Sequence, residues 1–432
     1  MRLARLAYLA LLAIALAAPL PLGGNRPAAA ATLALAIALV LLVWCAAATV
    51  RPATLAVGWR HFRVPAGCFV LLTAWFLLQA SSLAPAAWQH PLWAEARAAL
   101  GQPLAGAIGA APRETLAATM RWLAYGAVFF LAMQAAANER HARLALATIG
   151  FAGGVQALYA CGLWLAGSEH ILWLDKWAYL GSATGTFVNR NHFASYLGLS
   201  ALCLLAWQVL PPPPVWRRLA LALLAPIGLA LLLSHSRAGL AATAVGLGVF
   251  VLLRRSAGRR LDAPWLAIAA GALALAAVFG GATFARLEAT GREDLVDRLA
   301  LHGAALEGVR ARPWLGHGLG SFESAFAAWR VPALAALPTI DHAHNEYLEW
   351  AFEAGLPATA LLAAMFVAIL APTWRAARAG DATAQAAVAA VALSAAHAAV
   401  DFPLQIPAVA IAFALIVGSG FGRAALLPKQ VL

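Results

Sequence analysis

Charged residues and cysteines are scarce in this chain. Of its 432 residues, 11% are charged and four are cysteines, while 63% are hydrophobic. Soluble domains carry about 25% charged residues, so a water-soluble globular protein is excluded. The four cysteines all fall inside apolar runs, where a small buried thiol is the ordinary role, and they form neither a disulfide framework nor a zinc pattern.

Apolar runs repeat along the chain, and many reach the roughly 20 residues that cross a bilayer core. Leu, Ala and Val fill these runs without the alternation of a membrane barrel, so the backbone must satisfy its hydrogen bonds inside helices. The sequence therefore predicts an all-α fold, a polytopic membrane helical bundle of about 12 transmembrane helices with one large helical loop, 283–345, between the ninth and tenth. The first run lacks a convincing cleavage site and is interpreted as a retained helix. The predicted spans are 7–22, 28–50, 65–82, 115–137, 144–166, 191–210, 219–234, 238–253, 264–282, 346–371, 384–400 and 404–421.

The net charge of +12 is interpreted as a topology signal and not as a sign of nucleic-acid binding. With twelve spans, 17 basic residues fall into loops on one side of the membrane, and the positive-inside rule makes that side the cytoplasm. Both termini are then cytoplasmic, and loop 283–345 lies on the opposite side. The basic residues are Arg2, Arg5, Arg51, Arg60, Arg63, Arg140, Arg143, Arg217, Arg218, Arg254, Arg255, Arg259, Arg260, Arg375, Arg378, Arg423 and Lys429.

Two arginines on the non-cytoplasmic side are candidate anion-binding groups. Arg237 lies in a short turn between apolar runs, where burying it near the bilayer costs about 2.5 to 3.5 kcal/mol unless an anion compensates. A guanidinium matches phosphate oxygens in a bidentate way, so an anion site is favoured over a snorkelling arginine at a helix end. Arg298 lies on a predicted loop helix, where local ion pairs explain it about as well as a ligand contact does.

Two clusters of polar residues precede predicted spans. In the segment 342–346, His342 and His344 lack a third metal ligand at familiar spacing, so a general base that removes a hydroxyl proton is favoured over a metal site. Asn345 would orient the base or the substrate, and a structural histidine that caps the helix is the alternative. The second cluster either caps the sixth span or faces the same external cavity as Arg237. It comprises Asn189, Arg190, Asn191 and His192.

Five sequence blocks resemble the O-antigen ligase and polymerase superfamily. The family signature is His-Asn, nine residues, then Gly, which matches His344, Asn345 and Gly355. The other blocks are 185–193, the turn 236–237, Arg298 with 313–322, and 397–407. The resemblance divides the chain into N-terminal transmembrane helices, 1–184, a ligase-like catalytic membrane domain, 185–421, and a cytoplasmic tail, 422–432.

The resemblance implies a glycosyltransferase of the membrane-embedded C type in the bacterial inner membrane, with a periplasmic active site and neither metal nor cofactor. His344 would activate the acceptor hydroxyl, while Arg237 and Arg298 would hold the diphosphate of a polyprenyl-diphosphate-linked glycan donor among membrane lipids. The other residues of the two clusters would bind substrate, and a single displacement would invert the anomeric carbon. The acceptor would be the lipid A core for a ligase, which is favoured by the size and position of loop 283–345. A glycan chain, for a polymerase, and a protein hydroxyl are the alternatives.

A transporter for the same lipid-linked glycan is the competing class. Transporters show related halves and charged residues at mid-membrane. This chain has no obvious repeat, and its main intramembrane charge, Arg121 in the fourth span, is explained by snorkelling. A non-catalytic scaffold gives no reason for His344 and Arg237 to lie on one external face, so an enzyme is favoured.

Overall fold

The computed structural model describes residues 2–210, 213–258, 291–334 and 339–426. Over these ranges the chain is helical, apart from short 3-10 turns, loops and one two-stranded antiparallel hairpin. The helices are α1 (Arg2–Ala17), α2 (Pro27–Val50), α3 (Trp59–Ala80), α4 (Leu92–Leu100), α5 (Pro112–Ala135), α6 (Glu139–Leu165), α7 (Arg190–Val209), α8 (Pro214–Leu233), α9 (Arg237–Ser256), α10 (Gly291–Ala311), α11 (Phe322–Phe326), α12 (Glu346–Ala354), α13 (Leu356–Arg378), α14 (Ala382–Ala398) and α15 (Pro407–Ala424). The hairpin consists of β1 (His170–Ile171) and β2 (Leu174–Asp175).

The prediction of a polytopic helical membrane bundle is confirmed. Within the described ranges, nine helices are long and apolar enough to cross a membrane: α2, α3, α5, α6, α7, α8, α9, α13 and α15. Two further predicted spans correspond to the shorter helices α1 and α14, of 16 and 17 residues. The first of these ends at Ala17 and not at residue 22, since Pro19 and Pro21 cannot continue a helix. The predicted ninth span, 264–282, lies outside the described residues.

The predicted tenth span, 346–371, is two helices, and this part of the prediction was wrong. Helices α12 and α13 meet at Gly355, whose backbone has φ 84° and ψ 159°, a conformation that only glycine adopts readily. A Cβ atom at this position would lie 2.6 Å from the carbonyl oxygen of Trp314. The apolar span therefore begins at Leu356, and α12 belongs to the polar segment before it.

Helices α7, α14 and α15 form the buried centre of the bundle. Small residues allow these helices to pack closely. A Cβ added at Gly198 of α7 would lie 2.4 Å from the Thr243 hydroxyl of α9, and one added at Gly420 of α15 would lie 2.3 Å from the Ala387 methyl of α14. Residues at the start of α7 contact residues just beyond the end of α14, and we call this part of the molecule the site end of the bundle.

Loops from both halves of the chain join at the site end. The Arg312 guanidinium donates hydrogen bonds to the carbonyl oxygens of Trp88 at 2.9 Å and Gln89 at 3.2 Å. At the end of α3, Gln79 Nε2 donates to the carbonyl oxygen of Leu315 at 2.8 Å. The N-terminal part of the chain thus holds the loop that follows α10. The short helix α4 lies in the connection between α3 and α5.

Candidate active site

Asp401 lies at the centre of a buried polar cluster at the site end. Its side chain is 0% exposed, and its Oδ1 lies 3.2 Å from Nδ1 of His344. Its Oδ2 accepts a hydrogen bond from Asn191 Nδ2 at 2.6 Å, and His192 Nε2 lies 3.9 Å from Oδ1. Burial by itself favours the protonated carboxyl, but the His344 hydrogen bond and the neighbouring imidazoles outweigh it and hold the pKa of Asp401 well below its usual range. Asp401 is therefore a carboxylate.

The backbone of the 342–346 segment aims His344 at Asp401. His344 has φ 48°, a left-handed conformation that residues other than glycine seldom adopt. Its side chain is 29% exposed, so the ring is open to a substrate. A carboxylate that accepts from Nδ1–H leaves the lone pair on Nε2 and stabilises the imidazolium once Nε2 takes a proton. The pair can therefore act as a general base towards a hydroxyl group.

Arg298 and the helix that carries it lie against this pair. The Arg298 NH1 atom donates to the carbonyl oxygen of Val400, the residue before Asp401, at 2.8 Å. One turn further along α10, His302 approaches the carbonyl groups of Ala343 and His344, and burial lowers its pKa in spite of these contacts. Helix α10 is thus tied to both loops that supply the histidine–aspartate pair.

The polar residues at the start of α7 make different contacts. Asn189 is the helix N-cap, since its side chain accepts from the backbone N–H of Asn191 at 2.8 Å. Asn191 donates to Asp401, whereas the Arg190 guanidinium lies over the ring of Tyr179, 5.4 Å from its centroid. Asn345 is likewise an N-cap and accepts from Leu348 N–H at 3.1 Å. Helix capping thus explains the positions of Asn189 and Asn345. Their contact with substrate stays a prediction.

Arg237 is the first residue of α9 and is exposed. The Ser236 side chain caps this helix by accepting from Gly239 N–H at 3.1 Å. A Cβ added at Gly239 would lie 2.4 Å from the methyl group of Ala194, so the first turn of α9 packs against the first turns of α7. Arg237 therefore lies at the same end of the bundle as Asn191 and its partners.

Strained backbone occurs at the site end. Tyr179, His235 and His344 are among the non-glycine residues with positive φ, at 55°, 53° and 48°. The ring of His235 lies 3.3 Å from the Ser182 hydroxyl. Burial raises the pKa of Tyr179; the nearby charge of Asp401 also raises it, and that of Arg190 lowers it. Such conformations cost about 1–3 kcal/mol each and cluster at functional sites.

His342 forms a second histidine–carboxylate contact. Its Nδ1 lies 2.7 Å from Oε1 of Glu349, and its ring stacks on Phe402 with 3.8 Å between the ring centroids. Burial lowers the pKa of His342, but the charge and the hydrogen bond of Glu349 outweigh burial and raise it to about 9. His342 is therefore a cation at neutral pH. This argues against its use as a metal ligand, which requires a neutral ring.

Asp401 and Glu349 are the functional candidates that the sequence left without a role. The block 397–407 included Asp401, and the available signal was a single acidic residue in a short connection between two apolar runs. Glu349 lies five residues beyond His344 on the helix that follows. In the part of the chain that the structure describes, no group of three or more His, Cys, Asp or Glu side chains is placed to hold a metal ion.

Comparison with known protein families gives one match, which covers part of the candidate site. The model of the O-antigen ligase family matches residues 219–363, a range that contains Arg237, Arg298 and His344. Asp401 and Asn191 lie outside the matched range and contact it. No curated protein matches the chain. Residues 219–363 of this chain are therefore similar to the O-antigen ligase family.

Proposed function

We propose that this protein transfers a glycan from a polyprenyl-diphosphate-linked donor to an acceptor hydroxyl at the periplasmic face of the bacterial inner membrane. The observation that carries the proposal is the 3.2 Å contact between the buried carboxylate of Asp401 and His344, which lies in the segment that matches the O-antigen ligase family. Arg237 and Arg298 lie at the same end of the bundle. Enzymes of this family act on lipid-linked glycans, which accords with a site at the edge of a helical membrane bundle.

The first half of the reaction is activation of the acceptor. The acceptor hydroxyl donates a hydrogen bond to Nε2 of His344, and its proton moves to Nε2 as the oxygen attacks the anomeric carbon of the donor glycan. Asp401 accepts from Nδ1–H and stabilises the imidazolium that results. The bond between the anomeric carbon and the diphosphate oxygen breaks on the opposite face, so one displacement inverts the anomeric centre.

The second half is departure of the diphosphate, which takes the electron pair of the broken bond. Arg237 and Arg298 stabilise the negative charge that develops on the leaving oxygen. Arg298 retains donors for this task, because a guanidinium has five N–H groups and the contact with Val400 is made by its NH1 atom. The N-termini of α7 and α9 add positive electrostatic potential at the site end. Two guanidinium groups take the place that a metal ion occupies in other diphosphate-releasing enzymes.

The acceptor that we favour is the lipid A core, which makes the protein a ligase. Deletion of its gene is then expected to leave long glycan chains attached to the polyprenyl lipid and absent from lipid A, as measured by analysis of extracted lipid-linked products. Accumulation of single repeat units would instead identify a polymerase, and loss of glycan from a protein would identify a protein glycosyltransferase. Unchanged lipid-linked products would contradict glycan transfer altogether.

Arg237→Ala and Arg237→Lys are both expected to lower kcat/KM for the lipid-linked donor by about 10- to 100-fold. This range corresponds to the roughly 1.5–3 kcal/mol of a hydrogen bond to a charged group, and an ammonium cannot reproduce the planar fork of a guanidinium. Steady-state kinetics in proteoliposomes measure the effect. Arg255→Ala, at the opposite end of the same helix α9, is the matched control and should leave kcat/KM unchanged. Wild-type kcat/KM in both Arg237 variants would remove this residue from the donor site.

A further inference from the structure

We propose that His342 and Glu349 form a second histidine–carboxylate pair with a different task from the first: the His342 imidazolium binds an oxygen of the donor diphosphate through its Nε2–H group. The inference rests on the proposed function and names a third cationic group at the same site. It also assigns Glu349 as the positioning residue that holds this cation in place.

Three donors surround the carboxyl group of Glu349, whose side chain is 1% exposed. Its Oε1 receives the Nδ1 contact from His342 at 2.7 Å and a hydrogen bond from Gln405 Nε2 at 2.5 Å, while its Oε2 accepts from Ala343 N–H at 2.8 Å. One carboxyl group thus joins the segment that precedes α12 to the loop that follows α14. These two segments carry His344 and Asp401.

The contact with Glu349 leaves the other nitrogen of His342 for a ligand. The side chain of His342 is 22% exposed, and its ring lies against Phe402 at a centroid distance of 3.8 Å and an angle of 24°. The same phenyl ring contacts His344 at 5.1 Å and His192 at 4.7 Å. Because His342 and His344 contact the same phenyl ring, a substrate bound at His344 also lies close to His342.

Acidic groups dominate the surroundings of His342 and keep it protonated. They lie on its own loop and on α12, and one further imidazole faces it from α7. The groups are Asp341, Glu346, Glu349, Glu353 and His192. An imidazole that already carries both protons cannot accept another, so His342 cannot replace His344 as the base. It can donate a charge-assisted hydrogen bond to a phosphate oxygen.

The test measures the affinity of the full-length protein in detergent for farnesyl diphosphate by calorimetry, at pH 7.5 and at pH 5.5. Each variant is compared with wild type at the same pH. Glu349→Gln is expected to weaken binding about 10-fold at pH 7.5 and to recover at pH 5.5. Without the carboxylate, His342 should titrate near its ordinary value of about 6.5 and become protonated again. A purely structural role would give the same loss at both values of pH.

Two substitutions of the histidine itself complete the test. His342→Gln should weaken binding about 10-fold at both values of pH, whereas His342→Lys, which keeps a positive charge, should retain most of the affinity. Glu323→Gln, which changes an exposed glutamate of α11, is the control and should bind as wild type does. The two His342 variants test whether the His342 cation binds the diphosphate even if Glu349→Gln does not fold.

Equal binding by wild type and all variants would overturn the inference. So would a Glu349→Gln variant that stays weak at pH 5.5, or a His342→Lys variant as weak as His342→Gln. If the wild-type protein itself does not bind farnesyl diphosphate, the proposed donor is wrong, and so is the proposed role of His342 in binding it. The failure of the proposed function is thus distinguished from the failure of this assignment alone.

Discussion

His344→Ala is expected to abolish glycan transfer while the protein remains folded and inserted in the membrane. General-base catalysis contributes typically 10²- to 10⁴-fold, so the rate should fall by roughly that factor. The imidazole is 29% exposed and its described hydrogen bond is to Asp401, so its removal leaves the helix packing intact. Transfer from extracted lipid-linked glycan in proteoliposomes measures the rate, and thermal unfolding in detergent measures stability.

His61→Ala is the matched control for this variant. His61 is exposed on the first turn of α3, and its ring contacts the carbonyl oxygen of Gly58 in its own segment. We expect its loss to change neither transfer nor stability. Full turnover by a well-folded His344→Ala protein would exclude His344 as the base and would leave the histidine–aspartate pair without a catalytic role.

Asp401→Asn should lower the rate by roughly 10²- to 10⁴-fold, even though the new side chain has nearly the same shape. An asparagine amide can donate to Nδ1 and thereby hold His344 in the tautomer whose Nε2 carries the proton, which cannot act as a base. The substitution also removes the charge that stabilises the imidazolium. The effect should appear in kcat, since Asp401 is buried beneath His344 and does not face the substrate.

Helix α14 offers a matched control for Asp401 at its other end. Asp381 caps the start of this helix by accepting from Ala384 N–H at 2.9 Å and pairs with Arg423 at 2.9 Å. Asp381→Asn should lower the thermal stability slightly and leave kcat unchanged. A loss of kcat as large in Asp381→Asn as in Asp401→Asn would mean that both act through stability, and a wild-type kcat in Asp401→Asn would end its assignment to the catalytic pair.

The fold was largely predictable because hydropathy acts locally. A run of about 20 apolar residues must be helical in lipid, since its backbone has no other hydrogen-bond partners. The break at Gly355 was not part of the prediction, although the three glutamates of α12 distinguish this helix from the apolar run that begins at Leu356. The break is imposed by the backbone of Trp314, which lies too close to Gly355 to admit a side chain.

The candidate site was predictable only in part. Motif and charge placement pointed to His344, Arg237 and Arg298, and helix-start chemistry pointed to a cap at the start of α7. Asn345 was predicted to orient the base or the substrate, and the structure shows it as a helix cap. The partners of these residues were not predictable. Asp401 is 57 residues from His344 and 210 residues from Asn191 along the chain, and spacing carries no signal over such separations.

The sequence alone determined the membrane class, the helical form and the residue types available for chemistry. Each depends on the preference of a short segment for lipid or water. The tertiary structure decided which imidazole meets which carboxylate. Helices α7, α12 and α14 pack so that His344 meets Asp401 and His342 meets Glu349. The two histidines are two residues apart, and the buried carboxylate beside each one determines its chemistry, since charge and burial together set the protonation of an imidazole.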